Sequence, residues 1–292
     1  MIPNMEVEIA GVKWKNPVTV ASGTFGSGME YGEFVDLNKL GAITSKGVAI
    51  YPWEGNATPR VAETPSGMLN AIGLQNPGME VFKNRDIPFM KKYDTVSIVN
   101  VVGKSAEEYI QAVEALSDTD VDMLEINISC PNVKEGGIAF GTDKDVAAAL
   151  TKEIKAHAKQ PVIMKLSPNV TSISEMAKAV EAAGADALSL INTITGMKID
   201  VERQSIFLAN KTGGLSGPAI RPVAVRMVYE VAHSVNIPII GMGGITCASD
   251  ALEFILAGAT AVSVGTANFN NPNTPIEVVD DIRDYMVRKN IE

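Results

Sequence analysis

Short apolar runs, rich in β-branched residues, recur along the 292-residue chain, and each ends on one or two polar or glycine positions. They occupy 17–22, 42–47, 96–101, 124–132, 162–167, 187–193, 237–244 and 261–266. Between them lie stretches of helical spacing at 31–40, 106–116, 144–158, 173–183, 219–234, 248–257 and 275–288. Ahead of the first run, alternation around Ala10-Gly11 reads as a short β-hairpin. Eight strands separated by helices suit parallel pairing with right-handed crossovers, and a closed (β/α)8 (TIM) barrel is the natural count. No Pro/Ser-rich linker and no shift of composition divides 1–292, so one domain is expected. Two connections, roughly 47–90 after the second strand and 195–218 after the sixth, are too long for turns. Both leave the carboxyl ends of strands, where barrel enzymes keep their sites.

Composition narrows the partners. Apolar residues make up 46% of the chain, enough for a large core, and a formal charge of −9 disfavours a nucleic-acid partner. Two distant cysteines, Cys130 and Cys247, fit no disulfide or metal spacing, which suits a reducing, cytoplasmic setting. The first residues do not read as a signal peptide, and no apolar run of membrane-spanning length occurs. His157 and His233 fall in helices away from strand ends, so a histidine-based triad or metal site is not expected.

The strand ends carry the candidate chemistry. They present Ser22, Lys46, Asn100, Asn127 with Cys130, Lys165, Asn192 with Thr193, Gly243-Gly244 and Gly265-Thr266, and parallel strands would gather all of these at one mouth. Lys46 and Lys165 could be solvated at strand termini. Each lies within a residue or two of an apolar run, however, where an inward lysine needs an anionic partner. Cys130, ahead of Pro131 and among Asn127, Ser129 and Asn132, has the polar loop setting of a reactive thiol rather than of a packed one. Cys247 reads as a small packing residue. The Gly-Met-Gly-Gly turn at 241–244, feeding a helix, can bring backbone amides to a phosphate, a task that falls to the last two barrel loops in many such folds. No dinucleotide or P-loop glycine pattern is present, so a mononucleotide cofactor fits better.

Four motifs together resemble the dihydroorotate dehydrogenases: Asn-Ile-Ser-Cys-Pro-Asn at 127–132, Ser-Gly-Met-Leu-Asn-Ala-Ile-Gly-Leu-Gln-Asn at 66–76, Gly-Gly-Leu-Ser-Gly-Pro-Ala at 213–219 and Gly-Met-Gly-Gly-Ile at 241–245. The likeness runs over essentially the whole chain. Cysteine at 130 is similar to the class 1 enzymes. Lys134-Glu-Gly-Gly and Asn192-Thr-Ile-Thr-Gly-Met are closer to the NAD-linked 1B catalytic subunit than to the fumarate-linked 1A homodimer.

The resemblance implies FMN across the barrel mouth, with its phosphate at Gly217, Gly243, Gly244, Gly265 and Thr266. Ser22, Lys46, Gly47, Asn100, Asn127, Lys165 and Ile191 would line the flavin and its ribityl chain. Dihydroorotate would meet Lys46, Asn70, Ala71, Ile72, Gly73, Leu74, Asn127, Asn192 and Thr193. In that scheme Cys130 removes the C5 proton, the C6 hydride passes to the flavin, and Lys165 stabilises the negative charge that follows. The loop bearing Cys130 is expected to close as a lid.

A chain with two cysteines cannot ligate an iron–sulfur cluster, which takes four. The resemblance therefore implies a partner subunit carrying FAD and a [2Fe–2S] centre, in a heterotetramer built on a dimer of this chain. The rival readings are a fumarate-linked 1A enzyme, a dihydrouridine synthase-like flavin enzyme, which the negative charge disfavours, and a flavin module that only relays electrons.

Overall fold

The computed structural model of the chain describes residues 3–129 and 140–292. Eight short parallel strands build the barrel: β1 Val18–Val20, β2 Ala42–Thr44, β3 Val96–Val101, β4 Met123–Asn127, β5 Val162–Lys165, β6 Ala187–Leu190, β7 Ile239–Met242 and β8 Ala261–Val264. Their hydrogen-bonded order is β1-β8-β7-β6-β5-β4-β3-β2. The seam between β1 and β2 is drawn together by the Gly41 amide on the Val18 carbonyl, 3.0 Å, and by the Thr19 and Thr44 hydroxyls at 3.2 Å. The (β/α)8 expectation is met.

Strand alternation explains both layers of the core. Outward residues such as Leu124, Ile126, Val162, Met164, Leu188 and Val262 pack into the large cluster beneath the helices. Inward residues change character along each strand. At the amino ends Ala42, Ile98, Met123, Ile163, Ala187, Ile240 and Ala261 form an apolar plug with Ile9 and Trp14. Those last two belong to the hairpin Val7–Ile9/Val12–Trp14, which closes the bottom of the barrel. Two residues further along, the same inward faces carry Thr44, Asn100, Glu125, Lys165, Ser189 and Ser263, all buried and all polar. The barrel is thus dry below and polar above.

The helices are α1 Ala106–Ser117, α2 Lys144–His157, α3 Ile173–Ala182, α4 Arg221–Ala232, α5 Ala248–Leu256 and α6 Thr274–Lys289. Side chains at Ser105, Asp143 and Ser172 accept amide hydrogens of the first turns of α1, α2 and α3, which fixes where these helices start.

Three expectations need correction. The helix expected over 31–40 is two 3-10 turns, Tyr31–Glu33 and Leu37–Lys39. Between them Asp36 takes the Asn38 amide on its side chain and so restarts the chain. The 47–90 connection is not bare loop. It holds a hairpin, Val61–Thr64/Gly67–Asn70, and a helical segment running Met79–Val81, Phe82–Asp86 and Ile87–Met90. The middle piece is a π turn, and Pro88 just beyond it lacks the amide that a regular α-helix would use. Finally, Cys247 is exposed at the N-cap of α5, not packed.

The two long connections meet. Ile194–Met197 and Thr212–Ser216 pair with the 61–70 hairpin in one antiparallel sheet, with Thr212–Ser216 hydrogen-bonded to Gly67–Asn70. Its own small core is Ala62, Leu69, Ala71 and Leu208. This sheet forms a wall above the barrel mouth.

Candidate active site

Beneath that wall lies a cavity of about 470 Å³, within the usual range of small-molecule sites. Ser22, Lys46, Asn127, Lys165, Ile191, Asn192 and Thr193 reach it from the strand ends, and Asn70, Ala71, Ile72, Gly73 and Leu74 from the wall. Gly217, Gly243, Gly244, Gly265 and Thr266 complete one side. Two predicted residues do not line it. Asn100 is fully buried one layer deeper, and Gly47 faces a smaller neighbouring cavity of about 230 Å³. Cys130 lies outside the described residues.

The cavity floor is a hydrogen-bonded lattice across four strands. In register, Asn100 pairs with Glu125, Asn127 with Lys165, and Lys165 with Ser189. Glu125 Oε1 accepts from Asn100 Nδ2 at 2.6 Å and from Lys165 Nζ at 3.3 Å, while Oε2 accepts from Ser189 Oγ at 2.7 Å. Asn127 Oδ1 accepts from the Ser129 amide at 3.2 Å and from Asn192 Nδ2 at 3.4 Å. Tyr109 of α1 donates to the Asn127 carbonyl at 2.7 Å, which ties the end of β4 to the helix layer. Asn169 links the loops after β5 and β6 through the Thr193 carbonyl and the Thr195 amide, both at 3.0 Å.

Lys46 differs from Lys165: it makes no ion pair among the described residues. Burial, then the neighbouring Lys165 and Arg60 charges, push its ammonium below the ordinary lysine value. An unpaired cation on a cavity wall is a receptor for an anion. On the opposite side Gly217 and Gly244 sit at φ +101° and +76°, and a Cβ on Gly244 would come within 2.7 Å of the Gly217 carbonyl. Glycine is therefore required there for close packing of the backbones at 217 and 243–244, which also line the cavity. Gly243 and Gly244 are separated from the first residue of α5, Ala248, and no residue of 245–248 lines the cavity. The 243–244 turn is loop, whereas Gly217 is the N-cap of the 3-10 turn Pro218–Ile220 that runs into α4. Behind it Arg221 is ion-paired to Asp250. Burial works against the Asp250 charge, but bonds from Thr246, the Arg221 guanidinium and the Cys247 thiol hold its carboxyl below the usual range.

A family model described as Dihydroorotate dehydrogenase matches residues 4–286. The chain belongs to the dihydroorotate dehydrogenase family. Among members of that family, a protein of Lachnoclostridium phytofermentans is 67% identical over 98% of this chain and 95% of its own length. One from Alkaliphilus metalliredigens is 59% identical over 99% and 96%. One from Thermoanaerobacter pseudethanolicus is 55% identical over 99% and 96%. Each is named "Dihydroorotate dehydrogenase B (NAD(+)), catalytic subunit". Within this dihydroorotate dehydrogenase barrel, Asn169 and Ser216 line the cavity and Glu125 lies beneath its floor, and strand-end reasoning named none of the three. Glu125 had a signal: it lies two positions before Asn127, so alternation puts a charge on the inward face. Ser216 lay within the 213–219 motif beside Gly217, whereas Asn169 is placed only by the meeting of the loops after β5 and β6.

Proposed function

We propose that the chain is the catalytic subunit of an NAD-linked, class 1B dihydroorotate dehydrogenase, oxidising dihydroorotate to orotate in pyrimidine biosynthesis. The observation that carries this reading is one cavity holding two lysines of different kinds: Lys165 neutralised by a buried carboxylate, and Lys46 without an acidic partner among the described residues. Three features suit FMN there. Gly217, Gly243 and Gly244 bring two closely packed stretches of backbone to the cavity lining. Ser263 Oγ, on the cavity lining, is buried with no partner among the described residues. The volume suits a mononucleotide better than a dinucleotide.

Gly217, Gly243, Gly244, Gly265 and Thr266 would hold the phosphate, and Ser22, Lys46, Asn127, Lys165 and Ile191 the ring system. Bound there, FMN supplies a two-electron acceptor for the C6 hydride. The chain's own residues do the rest. Lys46 takes the substrate carboxylate, with Asn70 and the 71–74 segment beside it. Asn127, Asn192 and Thr193 offer donors and acceptors to the amide edges of the pyrimidine ring. Lys165 provides positive charge at the floor, where negative charge develops. Cys130, three residues beyond Asn127 in sequence, takes the C5 proton as thiolate. The four-stranded wall keeps water out.

The name shared by the relatives implies a second subunit. We assign to it the FAD and [2Fe–2S] centre that carry electrons to NAD, in a cytoplasmic heterotetramer built on a dimer of this chain, with 1–292 as one FMN-binding barrel domain. Among the described residues no helix is long and apolar enough to cross a membrane. The test is anaerobic titration of the purified yellow chain. Dihydroorotate should bleach the flavin, and NAD should restore the colour only after the partner subunit is added. A flavin that dihydroorotate does not bleach, or rapid NAD reduction by the chain alone, refutes the reading.

A further inference from the structure

Glu125 is the one component of the floor that a barrel has no need of. Its side chain is 3% exposed and does not line the cavity, yet it is held by three donors from three different strands: Asn100 on β3, Lys165 on β5 and Ser189 on β6. The layer directly below is filled by Ile98, Met123, Ile163 and Ala187, so an apolar side chain could serve packing here. A buried ion pair gives no more stability than a well-packed apolar pair, so stability alone does not account for it. What the carboxylate does accomplish is orientation. An ionised carboxylate only accepts hydrogen bonds, so it turns Asn100 with Nδ2 towards itself and Oδ1 away, and Oδ1 is left buried without a partner. The same Oε1 draws the Lys165 ammonium to a fixed point at the floor and offsets its charge.

We propose that Glu125 is a positioning residue for dihydroorotate oxidation, acting through Lys165 and Asn100: it fixes their direction and sets the net charge that a bound flavin meets at the cavity floor. This rests on the reading of the cavity as a flavin and dihydroorotate site. That reading is tested separately, by the bleaching of the wild-type chain.

Glu125→Gln separates charge from shape. The amide oxygen can still accept from Asn100 and Lys165, and the amide nitrogen can donate to the Ser189 hydroxyl, so only the negative charge is lost. The full chain loaded with FMN is titrated with reference dyes at pH 6, well below the ordinary lysine value. In Glu125→Gln the floor gains one net positive charge. The ratio of affinities for reduced over oxidised flavin should rise about tenfold, an upward shift of about 30 mV for a two-electron couple. Glu125→Asp keeps the charge on a shorter arm. Its potential should stay within about twofold of wild type in the same affinity ratio, while kcat falls about fivefold at unchanged KM because Lys165 is displaced. Ser189→Ala, which leaves the charge in place, should not move the potential.

A Glu125→Gln chain that holds FMN as tightly as wild type, with a potential within about twofold in affinity ratio, overturns the proposal. If Glu125→Gln does not accumulate folded, Glu125→Asp decides: lowered kcat at unchanged KM supports the proposal, and wild-type kcat overturns it. A wild-type chain that dihydroorotate fails to bleach removes the underlying reading, and the proposal with it.

Discussion

Replacing Lys165 by methionine would leave a carboxylate stranded inside the barrel. In the native chain the two side chains are 5% and 3% exposed, with Nζ 3.3 Å from Glu125 Oε1. Methionine keeps most of the aliphatic stem, so packing is largely preserved and the lost counter-charge dominates. Breaking a buried pair by removing one partner costs about 3–5 kcal/mol, because the remaining charge is neither solvated nor paired. Asn100 and Ser189 still donate to Glu125, which places the expectation towards the lower end of that range. At roughly 2–4 °C per kcal/mol for a domain somewhat smaller than this one, the flavin-free chain should melt on the order of 10 °C lower. The assay is differential scanning calorimetry of Lys165→Met beside the neutral double variant Lys165→Met/Glu125→Gln. The double variant should recover most of the loss, since no unpaired charge remains. A single variant within about 1 kcal/mol of wild type, or a double variant as unstable as the single, would show that the pair does not carry a buried charge balance.

Three further outcomes follow from the site. Gly244→Ala forces a Cβ to within 2.7 Å of the Gly217 carbonyl at φ +76°, so FMN should bind at least about tenfold more weakly by fluorescence titration, with little change in secondary structure. The Lys46 ammonium is weakened by burial and by Lys165 and Arg60, so it loses its proton below the ordinary value of 10.5. Because the charged form receives the substrate carboxylate, KM for dihydroorotate should begin to climb below pH 10.5, and Lys46→Gln should raise KM and flatten that limb in a pH series. Cys130→Ala should lower kcat by on the order of 10²-fold or more while FMN stays bound. Near-wild-type turnover would leave the C5 proton without its assigned base.

The barrel was legible because its signals are local. Each apolar run with a polar end is a strand whose two faces are both buried, and the intervening helical spacing marks α1 to α6. Lys46, Asn127, Lys165 and Asn192 were legible because parallel strands deliver their carboxyl ends to one mouth. One misreading came from a local side-chain competition that periodicity overlooks, the other from pairing at long range. Asp36 captures the Asn38 amide and breaks the 31–40 helix, and the 47–90 segment takes its shape by pairing with strands more than 100 residues away.

The sequence by itself therefore determined the strand count, the parallel order and the chemical character of the mouth, since these follow from periodicity and from what terminates each run. Only the tertiary structure decided which lysine is free and which is neutralised. The Lys165–Glu125 pair spans 40 positions along the chain yet lies on a diagonal between the adjacent strands β4 and β5, and its partners Asn100 and Ser189 come from strands on either side. Charge balance inside a barrel depends on closure and register, and these come into being only when the strands meet.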